Sequence, residues 1–227
     1  MSGDLQKARV EAAEKSGGTS ADPIYRAVLA RVDALGVGGR ALDFGAGTGR
    51  LARLLAERPR FTRVDAADIV AYEGASTGGV EWIIGDLNER LPVPDGTYDL
   101  IVAAEVIEHL ENPRFLAREW FRLLRPGGAL VLSTPNNESW RSVVSLLFRG
   151  HFASFTGPSY PAHISALLRA DIERVLSEAG FRGVEFAFTE HGLLPKLTSV
   201  TWQGASLGTL RGVRYSDNVV CTARKPG

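Results

Sequence analysis

The sequence predicts an open, doubly wound α/β sheet of parallel strands, on three observations. Ala41-Leu-Asp-Phe44 is a short apolar run with one acid, as a buried parallel strand shows. It leads directly into glycines at 45, 47 and 49, and then into Arg50–Glu57, where Leu51, Leu54 and Leu55 repeat at the spacing of one buried helix face. Beyond it, apolar β-branched runs alternate with helical patterns, the rhythm of a parallel sheet covered on both faces. At 227 residues the chain suits a single domain of this kind with a modest insertion to spare.

The elements follow in order. Residues 1–21 are polar and end in Lys15-Ser-Gly-Gly-Thr-Ser-Ala21, which reads as a mobile joint after a short helix. The domain proper is expected over 22–227. Asp22-Pro23 reads as a helix start with a capping acid, and Ile24, Val28, Leu29 and Val32 give the stripe that Gly36 stops. Phe61–Ile69 reads as the second strand, Val80–Leu87 as the third and Tyr98–Ala104 as the fourth. Asn112-Pro113 opens a helix carrying Phe115, Leu116, Trp120, Leu123 and Leu124; Arg125-Pro-Gly-Gly128 breaks it before a fifth strand at Ala129–Ser133. A helix is expected over Asp171–Ala179, and the last two strands over Phe181–Thr189 and Ser216–Ala223. Two stretches lack a clean period. Residues 138–168 are aromatic-rich and 190–215 are glycine-punctuated, so both are expected to be lid or substrate insertions.

Strand, glycine turn and helix in succession make a nucleotide-type ligand site. The turn lets a ligand approach the backbone, and the helix start offers free N–H groups. A dinucleotide fingerprint, Gly-x-Gly-x-x-Gly, would need glycine at position 50, where the chain has Arg50. That disfavours a nicotinamide-dependent dehydrogenase. Asp68 lies 19 residues past Gly49, near the offset of a ribose-binding acid. Asp65 is its competitor; Asp68 is preferred because it ends the apolar run. Asp99 starts a strand away from the expected cleft and is read as structural.

Composition narrows the class. Lys+Arg and Asp+Glu number 26 each, so the net charge is zero and no basic excess points to nucleic acid. The single cysteine, Cys221, excludes an internal disulfide and fits a cytoplasmic setting. No apolar run reaches membrane-spanning length, and the N-terminus lacks a signal-peptide core.

Asp43-Phe-Gly-Ala-Gly-Thr-Gly49, Asp68-Ile69, Gly85-Asp86-Leu87, Tyr98-Asp-Leu-Ile-Val102, Glu105-Val-Ile-Glu-His-Leu110 and Leu124-Arg-Pro-Gly-Gly128 together resemble class I S-adenosylmethionine-dependent methyltransferases. Glu105–Leu110 and Ser133-Thr-Pro-Asn136 are most similar to the ubiquinone-biosynthesis type of small-molecule O-methyltransferase. The resemblance implies a Rossmann-like, seven-stranded sheet with its last strand antiparallel. It also implies cofactor contacts from Gly45, Ala46 and Gly47 beneath the methionine part, with Asp43 bracing the turn. Asp68 would hold the ribose hydroxyls, Ile69 and Leu87 would sandwich the adenine, and Asp86 would accept from its amine. The backbone at Glu105 would face the amino-acid end. The acceptor is expected to be a small hydroxylated molecule.

A hydroxyl nucleophile must lose a proton to a base or to a metal. Glu105, Glu108 and His109 stand at i, i+3, i+4, which on a helical turn shares one face, leaving Val106, Ile107 and Leu110 toward the core. His109, Glu108 and His163 are therefore the catalytic candidates, and Glu105, Glu108, His109 and His163 the candidate ligands of a divalent metal. Small-RNA 2′-O-methyltransferases share the Glu-x-x-Glu-His pattern, which keeps RNA as an alternative acceptor against the neutral charge. A domain that binds cofactor without catalysis is a further alternative.

Overall fold

Leu42 and Phe44 of the first strand, β1 (Gly39–Phe44), join one apolar cluster and Ala41 the other, so the strand needs cover on both faces. The computed structural model describes residues 3–72, 79–195 and 197–227. Residues 1 and 2 of the expected N-terminal segment, 73–78 of the expected domain and 196 of the second insertion lie outside the described residues.

The remaining strands are β2 (Phe61–Asp68), β3 (Glu81–Ile84), β4 (Tyr98–Ala104), β5 (Leu124–Pro135), β6 (Arg182–Phe188), β7 (Leu193–Leu194), β8 (Leu197–Thr201) and β9 (Asn218–Arg224). Seven of them form one sheet in the order β3-β2-β1-β4-β5-β9-β6, and β7 pairs with β8 alone. The pairings from β3 across to β5 are parallel, while β9 runs antiparallel to both β5 and β6. The helices are α1 (Gly3–Ser16), α2 (Asp22–Leu35), α3 (Arg50–Ala56), α4 (Pro113–Leu123), α5 (Trp140–Arg149), α6 (Arg169–Ala179) and α7 (Trp202–Ala205).

Side-chain alternation divides the core. Val28 and Val32 of α2 and Leu51 and Leu55 of α3 cluster with Ala41, Leu100, Val102 and Val131. Leu116 and Trp120 of α4 and Ile172 and Leu176 of α6 cluster with Leu42, Phe44, Ile101, Leu130 and Leu132. Neighbouring strand residues thus fall into opposite clusters, as a pleat with helices on both sides requires. Each such aliphatic side chain contributes about 1.5–3 kcal/mol by leaving water. The strand order reverses between β1 and β4, and the crevice at their carboxyl ends is the switch point where such sheets take ligands.

Four local expectations are corrected. Asp22 does not cap α2: Ala21 holds the cap position, and Asp22 pairs instead with Arg50 at 2.8 Å. The fifth strand begins at Leu124 rather than Ala129, because Leu124 pairs with Tyr98 before an irregularity absorbs the Pro-Gly-Gly step. The first insertion is not wholly irregular, since α5 occupies ten of its residues. Trp140, Val143, Val144 and Leu147 stand at i, i+3, i+4 and i+7, the spacing of a helix face, but Trp140 and Leu147 are exposed and the buried positions are Ser142 and Ser145. Ser139 caps it, accepting the N–H of Ser142 at 3.2 Å. Finally, Glu105 is not on a helical turn with Glu108 and His109: only Ile107–His109 turns, as a 3-10 helix, and Glu105 precedes it at φ 56°.

Candidate active site

The turn after β1 is stitched to the end of β2. The N–H groups of Gly45 and Ala46 donate to the Ala67 carbonyl at 2.8 and 3.0 Å. The Asp68 carboxylate accepts the Gly47 N–H at 2.7 Å and the Val70 N–H at 3.0 Å. Gly45 and Gly47 have φ of 79° and 52°, a region side chains rarely enter. A Cβ on Gly45 would also stand 2.5 Å from a Val106 methyl, and one on Gly47 would run into the Gly18 carbonyl. Beneath the turn, Asp43 is buried and accepts from the backbone of Ala52, while its Oδ2 makes no hydrogen bond among the described residues. Burial, with Asp68 nearby, pushes its carboxyl up to about 7. Asp68 is also raised by burial, against the N–H groups that favour its charged form.

A cavity of about 350 Å³ opens above this turn. All nine residues expected at the cofactor line it: Asp43, Gly45, Ala46, Gly47, Asp68, Ile69, Asp86, Leu87 and Glu105. They come from the carboxyl ends of β1, β2 and β4 and from the turn after β3. Asp65, the competitor of Asp68, does not line it. Its carboxylate is held by Arg40, Arg63 and the Tyr98 hydroxyl. Asp99 likewise serves the fold, accepting the Arg40 N–H at 2.7 Å and pairing with Arg125.

At the other end of the cavity the three catalytic candidates come together. Ligating atoms of Glu108, His109 and His163 lie within 4.8 Å of one another, and the two imidazoles meet edge to face at 4.8 Å. His109 lines the cavity; Glu108 and His163 stand behind it. His109 Nδ1 lies 2.8 Å from the Ala162 carbonyl, and His163 Nδ1 lies 2.7 Å from the Ser154 carbonyl. A carbonyl only accepts, so each Nδ1 carries the proton and each Nε2 keeps its lone pair. Burial, then His163, pushes His109 down to about 4, and burial lowers His163. Glu108 is fully buried; Thr134 donates to its Oε2 at 3.0 Å, and its Oε1 has no hydrogen bond among the described residues. Burial, with Glu105 adding, raises its carboxyl well above the usual range. Glu105 does not join this group. Its carboxylate accepts from Ser133 and Asn218, both at 2.8 Å, and burial pushes it up to about 7.

The roof of the cavity was not expected from the sequence. Leu5, Ala8, Arg9, Ala12 and Ala13 of α1, with Gly18, Thr19 and Ser20, line the cavity from above, and Tyr25, Tyr72 and Tyr160 close its sides. The expected joint at 15–21 sits on the glycine turn, where the Thr48 N–H donates to the Gly18 carbonyl at 2.8 Å. From the first insertion Tyr160, Pro161 and Ile164 reach the cavity; among the described residues, none of the lining comes from 190–215.

Comparison with known proteins agrees with this geometry. A family model described as "Methyltransferase domain" matches residues 20–185, most of the chain. A Mycolicibacterium smegmatis protein named "Probable S-adenosylmethionine-dependent methyltransferase" is 34% identical over 155 residues, covering 66% of this chain and 55% of its own. A ubiquinone biosynthesis O-methyltransferase of Xanthomonas oryzae is 30% identical over 159 residues, covering 63% of this chain and 64% of its own. The chain thus spans 55–64% of the length of these two relatives. Among solved structures, a SAM-dependent methyltransferase from Archaeoglobus fulgidus superposes with a TM-score of 0.65 at 20% identity, covering 89% of this chain and 93% of that one. A match across the turn, the acidic strand ends and both flanking helix layers places the chain in one family: it belongs to the class I S-adenosylmethionine-dependent methyltransferases.

Proposed function

We propose that the protein transfers a methyl group from S-adenosylmethionine to a hydroxyl of a small molecule. The observation that carries this reading is a neutral imidazole, His109, at one end of a cavity lined by all nine expected cofactor residues. The cavity suits the cofactor on its own chemistry. Asp68 and Asp86 are carboxylates at neighbouring strand ends, Ile69 and Leu87 are apolar, and the glycine turn is a cradle that a Cβ would fill. When bound, S-adenosylmethionine supplies an electrophilic methyl on a positively charged sulfur.

The chain's own groups do the rest. Asp68 holds the ribose and Asp86 the adenine amine, each as an acceptor facing donors. The turn at 45–47 supports the methionine part, and α1 with Tyr160 excludes water. His109 takes the acceptor's proton on Nε2, because the Ala162 carbonyl keeps the proton of Nδ1 in place. The family rules out the nicotinamide alternative that Arg50 already disfavoured. RNA as acceptor is weakened by the zero net charge. A cytoplasmic setting belongs to this proposal, resting on the one buried cysteine, Cys221. Among the described residues, no helix is long and apolar enough to cross a membrane.

The same end of the cavity supports a divalent metal, on a separate observation. The buried Oε1 of Glu108 is unpartnered beside two imidazoles whose Nε2 lone pairs are free of protons. Two imidazoles and one carboxylate suit zinc, manganese or iron better than magnesium. Such an ion would lower the pKa of an acceptor hydroxyl in place of the base. Turnover measured with a panel of phenols and catechols tests both. His109→Ala should abolish product while S-adenosylhomocysteine still binds. Loss of turnover in chelator, restored by one of these metals, would assign His109 as ligand; full turnover in chelator would leave it as base. Turnover retained in His109→Ala would exclude both roles.

A further inference from the structure

Arg9 is the one charged side chain of α1 that reaches the cavity, and it is almost wholly covered, with 11% of its side chain exposed. Its Nη1 donates to Asp86 Oδ2 at 2.7 Å. Its Nε and Nη2 form a two-pronged contact with Glu111, at 2.8 and 2.7 Å to the two carboxylate oxygens. Bidentate geometry of this kind is the strong form of an arginine–carboxylate pair. It joins α1 to the segment between His109 and α4, on the far side of the cavity mouth. Two more contacts fasten the same helix: the Tyr72 hydroxyl donates to the Ala13 carbonyl at 3.2 Å, and the Lys15 ammonium to the Tyr160 carbonyl. Ala8, Ala12 and Ala13 line the cavity beside Arg9, with Leu5 and Ser16 at either end of that face. A ligand in the cavity would be covered on that side by α1.

We propose that α1 is the gate of the cofactor cavity and that Arg9 is its latch, closing the helix onto Asp86 and Glu111. This deepens the methyl-transfer reading and rests on it. Asp86 serves both partners at once: its Oδ1 accepts the Asn88 N–H at 2.9 Å, and Oδ2, which takes Arg9, retains a lone pair for a ligand donor. Arg9 is a positioning residue. It fixes the carboxylate that receives the adenine amine and sets how long the cofactor stays.

The latch has a signature that helix packing lacks. Glu111 is about half exposed, so the ion pair is open to screening by salt, whereas the alanine face is not. Stopped-flow release of S-adenosylhomocysteine from the full chain reads this directly. Arg9→Met keeps the aliphatic stem and should release about ten to a hundred times faster, the loss of charge-assisted hydrogen bonds. Glu111→Gln, which leaves Asp86 untouched, should also speed release. Raising salt should speed release from the wild type and leave Arg9→Met unchanged. Equal release rates in wild type and both variants, with S-adenosylhomocysteine bound in each, would overturn the latch alone. Wild-type protein that does not bind S-adenosylhomocysteine would overturn the methyl-transfer reading and the latch together. Faster release in Arg9→Met with Glu111→Gln and the salt response both unchanged would overturn the latch too, reducing Arg9 to a support for Asp86.

Discussion

The carboxylate of Asp68, ending β2, accepts the amide N–H of Gly47, in the turn after β1, at 2.7 Å. The end of β2 is thereby tied to the turn after its neighbour β1, beside the switch point between β1 and β4. The same carboxylate lines the cavity, so one side chain both shapes the turn and faces the cavity. Asp68→Ala should weaken binding of S-adenosylmethionine and its demethylated product about tenfold to a hundredfold, through loss of charge-assisted hydrogen bonds. Calorimetry showing unchanged affinity would remove Asp68 from the site.

Gly47 and Gly17 both have positive φ, and they separate two costs of adding a methyl group. At Gly17 nothing stands within 4 Å, so Gly17→Ala meets only the backbone penalty, about 1 kcal/mol. At Gly47 the new atom would strike the Gly18 carbonyl, the group that pins residues 17–20 to the turn. Gly47→Ala should therefore lose ligand binding, while Gly17→Ala keeps it. Equal binding in the two variants would show that the covering of the turn by Gly18 is dispensable.

Asp43 predicts a dependence of stability on pH. Its folded value of about 7 lies above the ordinary 3.8, so the folded chain holds a proton that the unfolded chain has lost. The stability this contributes is complete below pH 3.8 and is lost as pH rises through about 7. Asp43→Asn cannot ionise and keeps an acceptor for Ala52. Urea unfolding at pH 5 and pH 8 should show a smaller drop for the variant than for the wild type. An identical drop would mean that Asp43 is ionised in the folded chain.

Segment 138–165 is expected to order over the acceptor, but not uniformly. The N–H groups of Ile164 and Ser165 already donate to the Glu108 carbonyl at 2.9 and 3.0 Å, which fastens the end of the insertion beside His109. Hydrogen exchange should be slow at those two amides without ligand, and should slow across 150–161 only when cofactor and acceptor are both bound. Uniform slow exchange in the free protein would end the description of this stretch as a lid.

How much of this was legible in the sequence depended on whether a residue's role was local. The turn at 45–49, Asp68 at the end of β2 and Asp86 just after β3 announce themselves, because glycines or a carboxylate at the end of an apolar run mark the mouth of a cleft. The apolar run Ala41–Phe44 announced a strand buried on both faces, and the structure divides it, Leu42 and Phe44 into one cluster and Ala41 into the other. Glu105 misled, since i, i+3, i+4 spacing implies a shared face only on a helix, and its φ of 56° breaks that premise. Helix α5 was legible in Trp140, Val143, Val144 and Leu147 at i, i+3, i+4 and i+7 and was missed among the aromatics that follow it; what the pattern could not show is that serines take its buried positions. Arg9 could not have been found by pattern. Its partners Asp86 and Glu111 are 77 and 102 residues away, and only the fold brings them to the same cavity mouth.

The cavity above the glycine turn is proposed to hold S-adenosylmethionine, with Asp68 and Asp86 as its polar anchors. Titration calorimetry with S-adenosylhomocysteine tests it most directly, on the wild type and on Asp68→Ala and Asp86→Ala side by side. Saturable one-to-one binding to the wild type and weaker binding to each variant are expected, with the folded state of all three checked by circular dichroism. Absence of binding to the folded wild type, or equal affinity in all three proteins, would contradict it.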